Sequence, residues 1–264
     1  MEAPKKPLAL KPGALIRFVS PASPLSVEKT DVMRELLVEE GYRVEFSEHC
    51  FEADFHLAGR DQDRALDLID AFLDPEVSAV FCSRGGYGCS RLFPYLDLDE
   101  IVAANKMFLG FSDITTLHIA LNNRGLVTVH APMALTLTSP REPWVYESLK
   151  SVLKGGNPVS EVAPAGQTLT GGVAEGLVVG GCLCLICDSI GTANPIDASG
   201  RLLIIEDVDE DPHRVDAMLT HLLNANVVQN AAGIVIGEMT RTDERNGEGI
   251  GGKPWREIVK DRLG

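Results

Sequence analysis

The first half of the chain alternates strand-like and helix-like segments, and no other feature restricts its fold so strongly. Ala14–Val19 is an apolar run ended by the loop Ser20-Pro21-Ala22-Ser23-Pro24. Ser26 is placed to cap a helix whose apolar face uses Met33, Leu36 and Leu37, with Gly41 where a left-handed C-terminal residue belongs. Val44–Phe46 reads as a short strand, and Asp61 as the cap of a helix in which Ala65, Leu68, Ile69, Phe72 and Leu73 recur at helical spacing. Strands at Ala79–Cys82 and Met107–Phe111 follow, the second leading into a helix over Asp113–Asn122. Strands that alternate with helices need crossover connections, which implies a parallel sheet covered on both faces.

The pattern weakens from Pro140 to Ala174, where prolines and glycines gather. The reading is an α/β protein: a Rossmann-like N-terminal domain over 1–140, a linker over 141–174, and a smaller α/β C-terminal domain over 175–264. In that last part Leu177–Cys187 is apolar, Leu202–Ile205 and Gly233–Met239 read as strands, and Arg214–Leu223 reads as a helix.

Charge narrows the function. With 24 Lys+Arg against 38 Asp+Glu the net charge is −14, which argues against nucleic acid and against anionic membrane faces as partners. The apolar stretch Leu177–Cys187 contains two glycines and falls short of the ~20 residues a membrane span requires. The N-terminal MEAPKKPLALKPG carries Glu2 and three prolines and does not read as a signal peptide. A cytoplasmic protein with six reduced cysteines is expected.

Three segments carry chemistry. In Gly110-Phe111-Ser112-Asp113 a strand ends and a helix begins, so Ser112 occupies a sharp turn that lifts a hydroxyl off the sheet edge and aims unpaired helix amides at whatever it attacks. Ser before Asp is also an ordinary helix cap, and Ile114 stands where the usual Gly-Xaa-Ser-Xaa-Gly spacing has its second glycine. Arg84-Gly85-Gly86-Tyr87-Gly88, after the third strand, reads either as an anion-binding backbone loop or as a tight turn. Both segments fall at the carboxyl ends of strands, where open parallel sheets bind ligands. Glu206-Asp207-Val208-Asp209-Glu210-Asp211 offers a carboxylate to orient a histidine or bind a cation, or is a solvated turn.

Two further patterns read as bland. Cys182, Cys184 and Cys187 lie among aliphatic residues with no second Cys or Cys/His pair at zinc spacing, so no shared metal is expected. Gly247–Lys253 has phosphate-loop spacing up to the lysine, after which Pro254 replaces the Ser/Thr that would hold magnesium.

Five ordered stretches together resemble the LD-carboxypeptidase family of serine peptidases, which includes muramoyltetrapeptide carboxypeptidases and microcin-immunity peptidases. They are LAGRDQDRALDLIDAF, SRGGYGCSRLFPYLD, FLGFSDITTLHIALNNRG with VHAPM, GLVVGGCLCLICDSIGT, and LLIIEDVDEDPHRVDAMLTHLL before GIVIGEM. The resemblance implies Ser112 as nucleophile, Glu206 as the carboxylate that orients a histidine, and oxyanion amides at Gly86 and Asp113, with Gly85 beside them. From the Met107–Phe111 strand followed by the Asp113–Asn122 helix, the Ser112 hydroxyl is expected to face a cleft between two domains. A substrate ending in a carboxylate calls for a local cation, and Arg84 fits that part or anchors the loop. Neither a metal nor a cofactor is implied; the partner is a muropeptide, and a homodimer is left open.

The resemblance fails at one place. It puts the catalytic histidine in a Gly-His segment beyond the GIVIGEM-like strand, and none of His49, His56, His118, His130, His213 and His221 stands there. The chain is therefore expected to lack the last few dozen residues of the family and to release little product alone. Cys182 and Cys184 also stand where relatives more often carry Asn and Ser. Competing readings are hydrolysis of a peptidyl-nucleotide antibiotic, a non-catalytic muropeptide-binding remnant, and a nucleotide-binding module built on Gly247–Lys253.

Overall fold

A computed structural model describes residues 4–247, 250 and 252–264 of the chain, so Gly247–Lys253 lies partly outside the described residues. It divides into two compact units, Met1–Pro164 and Ala165–Gly264.

The first unit runs β1 (Leu15–Val19), α1 (Asp31–Glu39), β2 (Arg43–Phe46), α2 (Asp61–Leu73), β3 (Val77–Cys82), α3 (Leu98–Ala104), β4 (Met107–Gly110), α4 (Thr115–Asn122), β5 (Val129–His130) and α5 (Pro143–Leu153). Its sheet has the order β2-β1-β3-β4-β5 with every pairing parallel. Alternate residues of each strand enter opposite cores. Leu15, Val19, Val80, Cys82 and Phe108 pack on one face with α2, α3 and α4 residues, while Ile16, Phe18, Ala79, Phe81 and Leu109 pack on the other with α1 residues. Phe18 and Phe81 stack there with ring centroids 5.1 Å apart. This is the two-faced parallel sheet that the alternation requires.

Local capping differs from expectation. Ser26 precedes a 3-10 turn, Val27–Thr30, without a side-chain cap bond, and α1 begins only at Asp31. Asp61 is the first helical residue of α2 rather than its cap, the extended Arg60 standing in that place, and its carboxylate pairs with Arg64 and Arg91. Gly41 does adopt the left-handed conformation, at φ +87°.

The stretch 141–174, read as a linker, begins instead with a helix. Pro143 opens α5, as a first-turn proline can, and Leu149 and Leu153 are buried in the core with Leu10 and Leu37. Each such burial is worth about 1.5–3 kcal/mol, enough to hold a helix that proline- and glycine-rich neighbours conceal in the sequence.

The second unit runs β6 (Val178–Cys182), α6 (Leu183–Ser189), β7 (Leu202–Val208), α7 (Pro212–Asn224), α8 (Val227–Asn230), β8 (Gly233–Thr240) and α9 (Trp255–Leu263). Its parallel sheet has the order β6-β7-β8. The apolar stretch Leu177–Cys187 thus splits into a strand and a helix. Gly180 is required in that strand: at φ +126° a Cβ would lie 1.9 Å from the Ile204 carbonyl oxygen. Among the described residues no helix is long and apolar enough to cross a membrane.

Candidate active site

In the first unit, three loops leave the carboxyl ends of β1, β3 and β4 and bond to one another. After β4, Phe111 is extended and Ser112 turns the chain with φ +62°, in the left-handed region. An L-residue there costs on the order of 1–2 kcal/mol, a strain that packed surroundings must hold in place. A 3-10 turn over Ser112–Ile114 then leads into α4. Gly110 allows the turn, since a Cβ there would lie 2.9 Å from Ile114 side-chain carbons. Ser112 is half-buried, on a strand-to-helix elbow of the kind that presents nucleophiles.

The glycine loop lies against this elbow. A Cβ on Gly85 would sit 2.8 Å from Ser112 Cβ, 2.9 Å from Ser112 Oγ and 3.3 Å from the Asp113 amide nitrogen. The buried Asp113 carboxylate ties the two together by accepting the Cys89 N–H at 2.9 Å. Beneath the elbow, buried His118 donates from Nε2 to the Gly110 carbonyl at 2.9 Å, and burial drives its imidazole down to about 4, so it stays neutral.

The loop after β1 completes the arrangement. Ser23 Oγ accepts the Tyr87 N–H at 3.2 Å, and the Ser23 N–H reaches the Gly85 carbonyl at 3.4 Å. A Cβ on Gly86, at φ +122°, would lie 2.2 Å from Ser23 Oγ. Ser20 and Ser83 share a hydrogen bond of 2.6 Å. Arg64 on α2 is buried, donates to the carbonyls of Pro21 and Gly88, and pairs with Asp61. Arg84 donates to the carbonyls of Gly85 and Pro24, and burial lowers its pKa. Among the described residues no carboxylate pairs with it.

Sequence reasoning missed Ser23, Arg64 and the part played by the Asp113 side chain. The Ser-Pro-Ala-Ser-Pro segment did announce a loop at the end of a strand, but its contact with the glycine loop depends on β1 and β3 being neighbours in the sheet.

In the second unit, Glu206 and Asp207 belong to β7 itself rather than to a turn after it. The pairing of β7 with β8 shifts register between Ile205 and Asp207, a bulge of the sort that re-aims a side chain. Burial, followed by the neighbouring Asp207, pushes Glu206 up to about 7. Cys182 is its register partner on β6. His213 lies in the first turn of α7.

Comparison with known proteins gives this geometry a context. The LD-carboxypeptidase N-terminal domain matches residues 16–131, and the LD-carboxypeptidase C-terminal domain matches residues 175–264. A Bacillus subtilis protein named "Probable murein peptide carboxypeptidase" is 37% identical over 242 residues, covering 88% of this chain and 74% of that protein. The murein tetrapeptide carboxypeptidase of Pseudomonas aeruginosa is 32% identical over 235 residues, 85% of this chain and 76% of its own. The crystal structure of an MccF-like protein from Bacillus anthracis superposes with a TM-score of 0.83 at 25% identity, over 97% of this chain and 85% of that one. That of a muramoyltetrapeptide carboxypeptidase from Oxalobacter formigenes shares the fold with a TM-score of 0.74 at 24% identity, over 93% and 82%.

Proposed function

Because the chain belongs to the LD-carboxypeptidase family, we propose that it is a serine carboxypeptidase acting on muropeptides, cleaving the L,D-amide bond before a terminal D-alanine in cytoplasmic cell-wall recycling. The observation that carries this reading is Ser112, held at φ +62° on the elbow after β4 with Gly85 packed against its Cβ and Oγ. The murein peptide names of relatives 37% and 32% identical to this chain support the substrate class.

In this reading a histidine oriented by Glu206 takes the proton of Ser112 Oγ as the oxygen attacks the scissile carbonyl. The amides of Gly86 and Asp113 hold the oxyanion, the protonated amine of D-alanine leaves, and water then hydrolyses the acyl-enzyme. Arg84, a partly buried cation bonded only to carbonyls among the described residues, binds the substrate carboxylate. No Gly-His segment occurs in the 264 residues, and none of their six histidines is assigned the role of base.

The test is D-alanine release from a muropeptide tetrapeptide. The chain joined at its C-terminus to the Gly-His segment of a relative is expected to turn over, the 264-residue chain to release little, and Ser112→Ala to abolish release from the joined form. Loss of a triad member leaves only ~10³–10⁴-fold catalysis over water. Strong release by the 264-residue chain would assign the base to another histidine, such as His130 or His213, and overturn these roles.

A further inference from the structure

The cysteine run that spacing left without a partner acquires one in the fold. Cys182 ends β6, Cys184 is the second residue of α6, and β7 brings Asp207 alongside both. Cys182 Sγ lies 3.4 Å from Cys184 Sγ and 3.5 Å from Asp207 Oδ1, and the three donor atoms all fall within 4.8 Å of one another. Cys187 does not join them; its Sγ is directed to the Met218 carbonyl at 3.5 Å.

We propose that Cys182, Cys184 and Asp207 form a binding site for a soft divalent cation of the zinc class, with a fourth coordination position open to solvent or a small ligand. A tetrahedral zinc ion with Zn–S near 2.3 Å and Zn–O near 2.1 Å holds two sulfurs about 3.8 Å apart and a sulfur and an oxygen about 3.6 Å apart. The observed 3.4 and 3.5 Å are within a few tenths of an ångström of those separations. The third pair, Cys184 and Asp207, lies within 4.8 Å and closes on the ion by side-chain movement.

The backbone fixes the donors before any ion arrives. Asp207 Oδ2 accepts the Cys184 N–H at 2.9 Å, and Oδ1 accepts the Val208 N–H at 2.7 Å. Each oxygen keeps a further lone pair for a metal.

Electrostatics favour the same occupant. Asp207 is 2% exposed and Cys182 5%, and among the described residues no Lys or Arg pairs with Asp207. Buried charges are ordinarily paired or bound to metals. The Cys182 thiol is pushed well up by its bond to Cys184, by burial and by Asp207. A divalent cation reverses this balance: it binds two thiolates and one carboxylate and releases two protons to solvent. The thiolate pair selects zinc or cadmium over magnesium or calcium. The site neighbours Glu206 through the register of β6 and β7, but the inference does not depend on a catalytic role for Glu206.

The experiment is titration of the reduced 264-residue chain with Cd(II), following the ultraviolet charge-transfer absorption of cadmium thiolates, with Zn(II) as competitor. The expected result is one ion per chain with two thiolates, displaced by Zn(II) and weakening as pH falls. Cys182→Ser and Cys184→Ser should each weaken binding more than about 100-fold, beyond what loss of an outer partner costs, and Asp207→Asn about tenfold or more. Cys187→Ser should leave it unchanged. A second measurement needs no variant: Zn(II) should shield the half-buried Cys184 of the unmodified chain from alkylation. Absence of the one-to-one absorption, its persistence without Cys182 or Cys184, or a Cys182–Cys184 disulfide that Zn(II) does not prevent under air would each overturn the proposal.

Discussion

Replacing Gly85 by alanine tests the contact on which the candidate site is built. The added Cβ would stand 2.8 Å from Ser112 Cβ and 2.9 Å from Ser112 Oγ. Carbon atoms in contact sit about 3.5–4.0 Å apart, so roughly 0.7 Å or more must be recovered by movement. A rotamer change cannot provide it, because a Cβ is fixed by its own backbone; the elbow or the glycine loop has to shift. Overpacking of this kind costs about 1–3 kcal/mol. At ~2 kcal/mol the melting temperature of a protein this size falls by roughly 4–8 °C. In the form joined to a Gly-His segment, a displacement near 1 Å at the nucleophile also costs about 100-fold in turnover. Ser112→Gly provides the control, since it deletes both clashing atoms and releases the φ +62° strain at the expense of a more flexible unfolded chain, for a net change of about 0–1 kcal/mol. In that background Gly85→Ala should cost at least about 1 kcal/mol less, with the Asp113 amide contact at 3.3 Å still there to resist it. Urea unfolding of the four proteins, followed by Trp144 fluorescence with Trp255 replaced by Phe, measures the coupling. Additivity within about 0.5 kcal/mol would refute the reasoning.

Arg64→Met should destabilise the first unit by about 3 kcal/mol, the low end for a broken buried ion pair because Asp61 keeps Arg91. Chemical denaturation gives the loss, and a change under 1 kcal/mol would mean that the Pro21 and Gly88 carbonyls do not depend on it. His118 makes stability depend on acid. Its folded pKa of about 4 lies below the unfolded value of 6.5, so the unfolded chain takes the proton first and stability falls as pH drops from 6.5 to 4, by about 3 kcal/mol in all. His118→Gln should flatten that part of the pH–stability curve, and an unchanged slope would refute the assignment.

The alternation of Ala14–Val19, Ala79–Cys82 and Met107–Phe111 with helical periodicities is visible in the sequence because a parallel sheet buried on both faces demands near-continuous apolar strands and long crossovers. The elbow at Ser112 was legible for a local reason: strand residues, a small turn and helix formers follow one another within the same few positions. Helix α5 was not, since Leu149 and Leu153 owe their burial to residues more than a hundred positions away, such as Leu10 and Leu37. Nor could spacing reveal that Ser23 meets Tyr87, that Arg64 holds the loops after β1 and β3, or that Asp207 joins Cys182 and Cys184. Those contacts are set by which strands lie side by side and in what register. Sequence by itself determined the strand and helix alternation up to Asn122 and the single-turn chemistry at Ser112, both written in neighbouring residues. Only the tertiary structure decided which loop ends meet, because that is a property of strand order and pairing, and no run of adjacent residues encodes it.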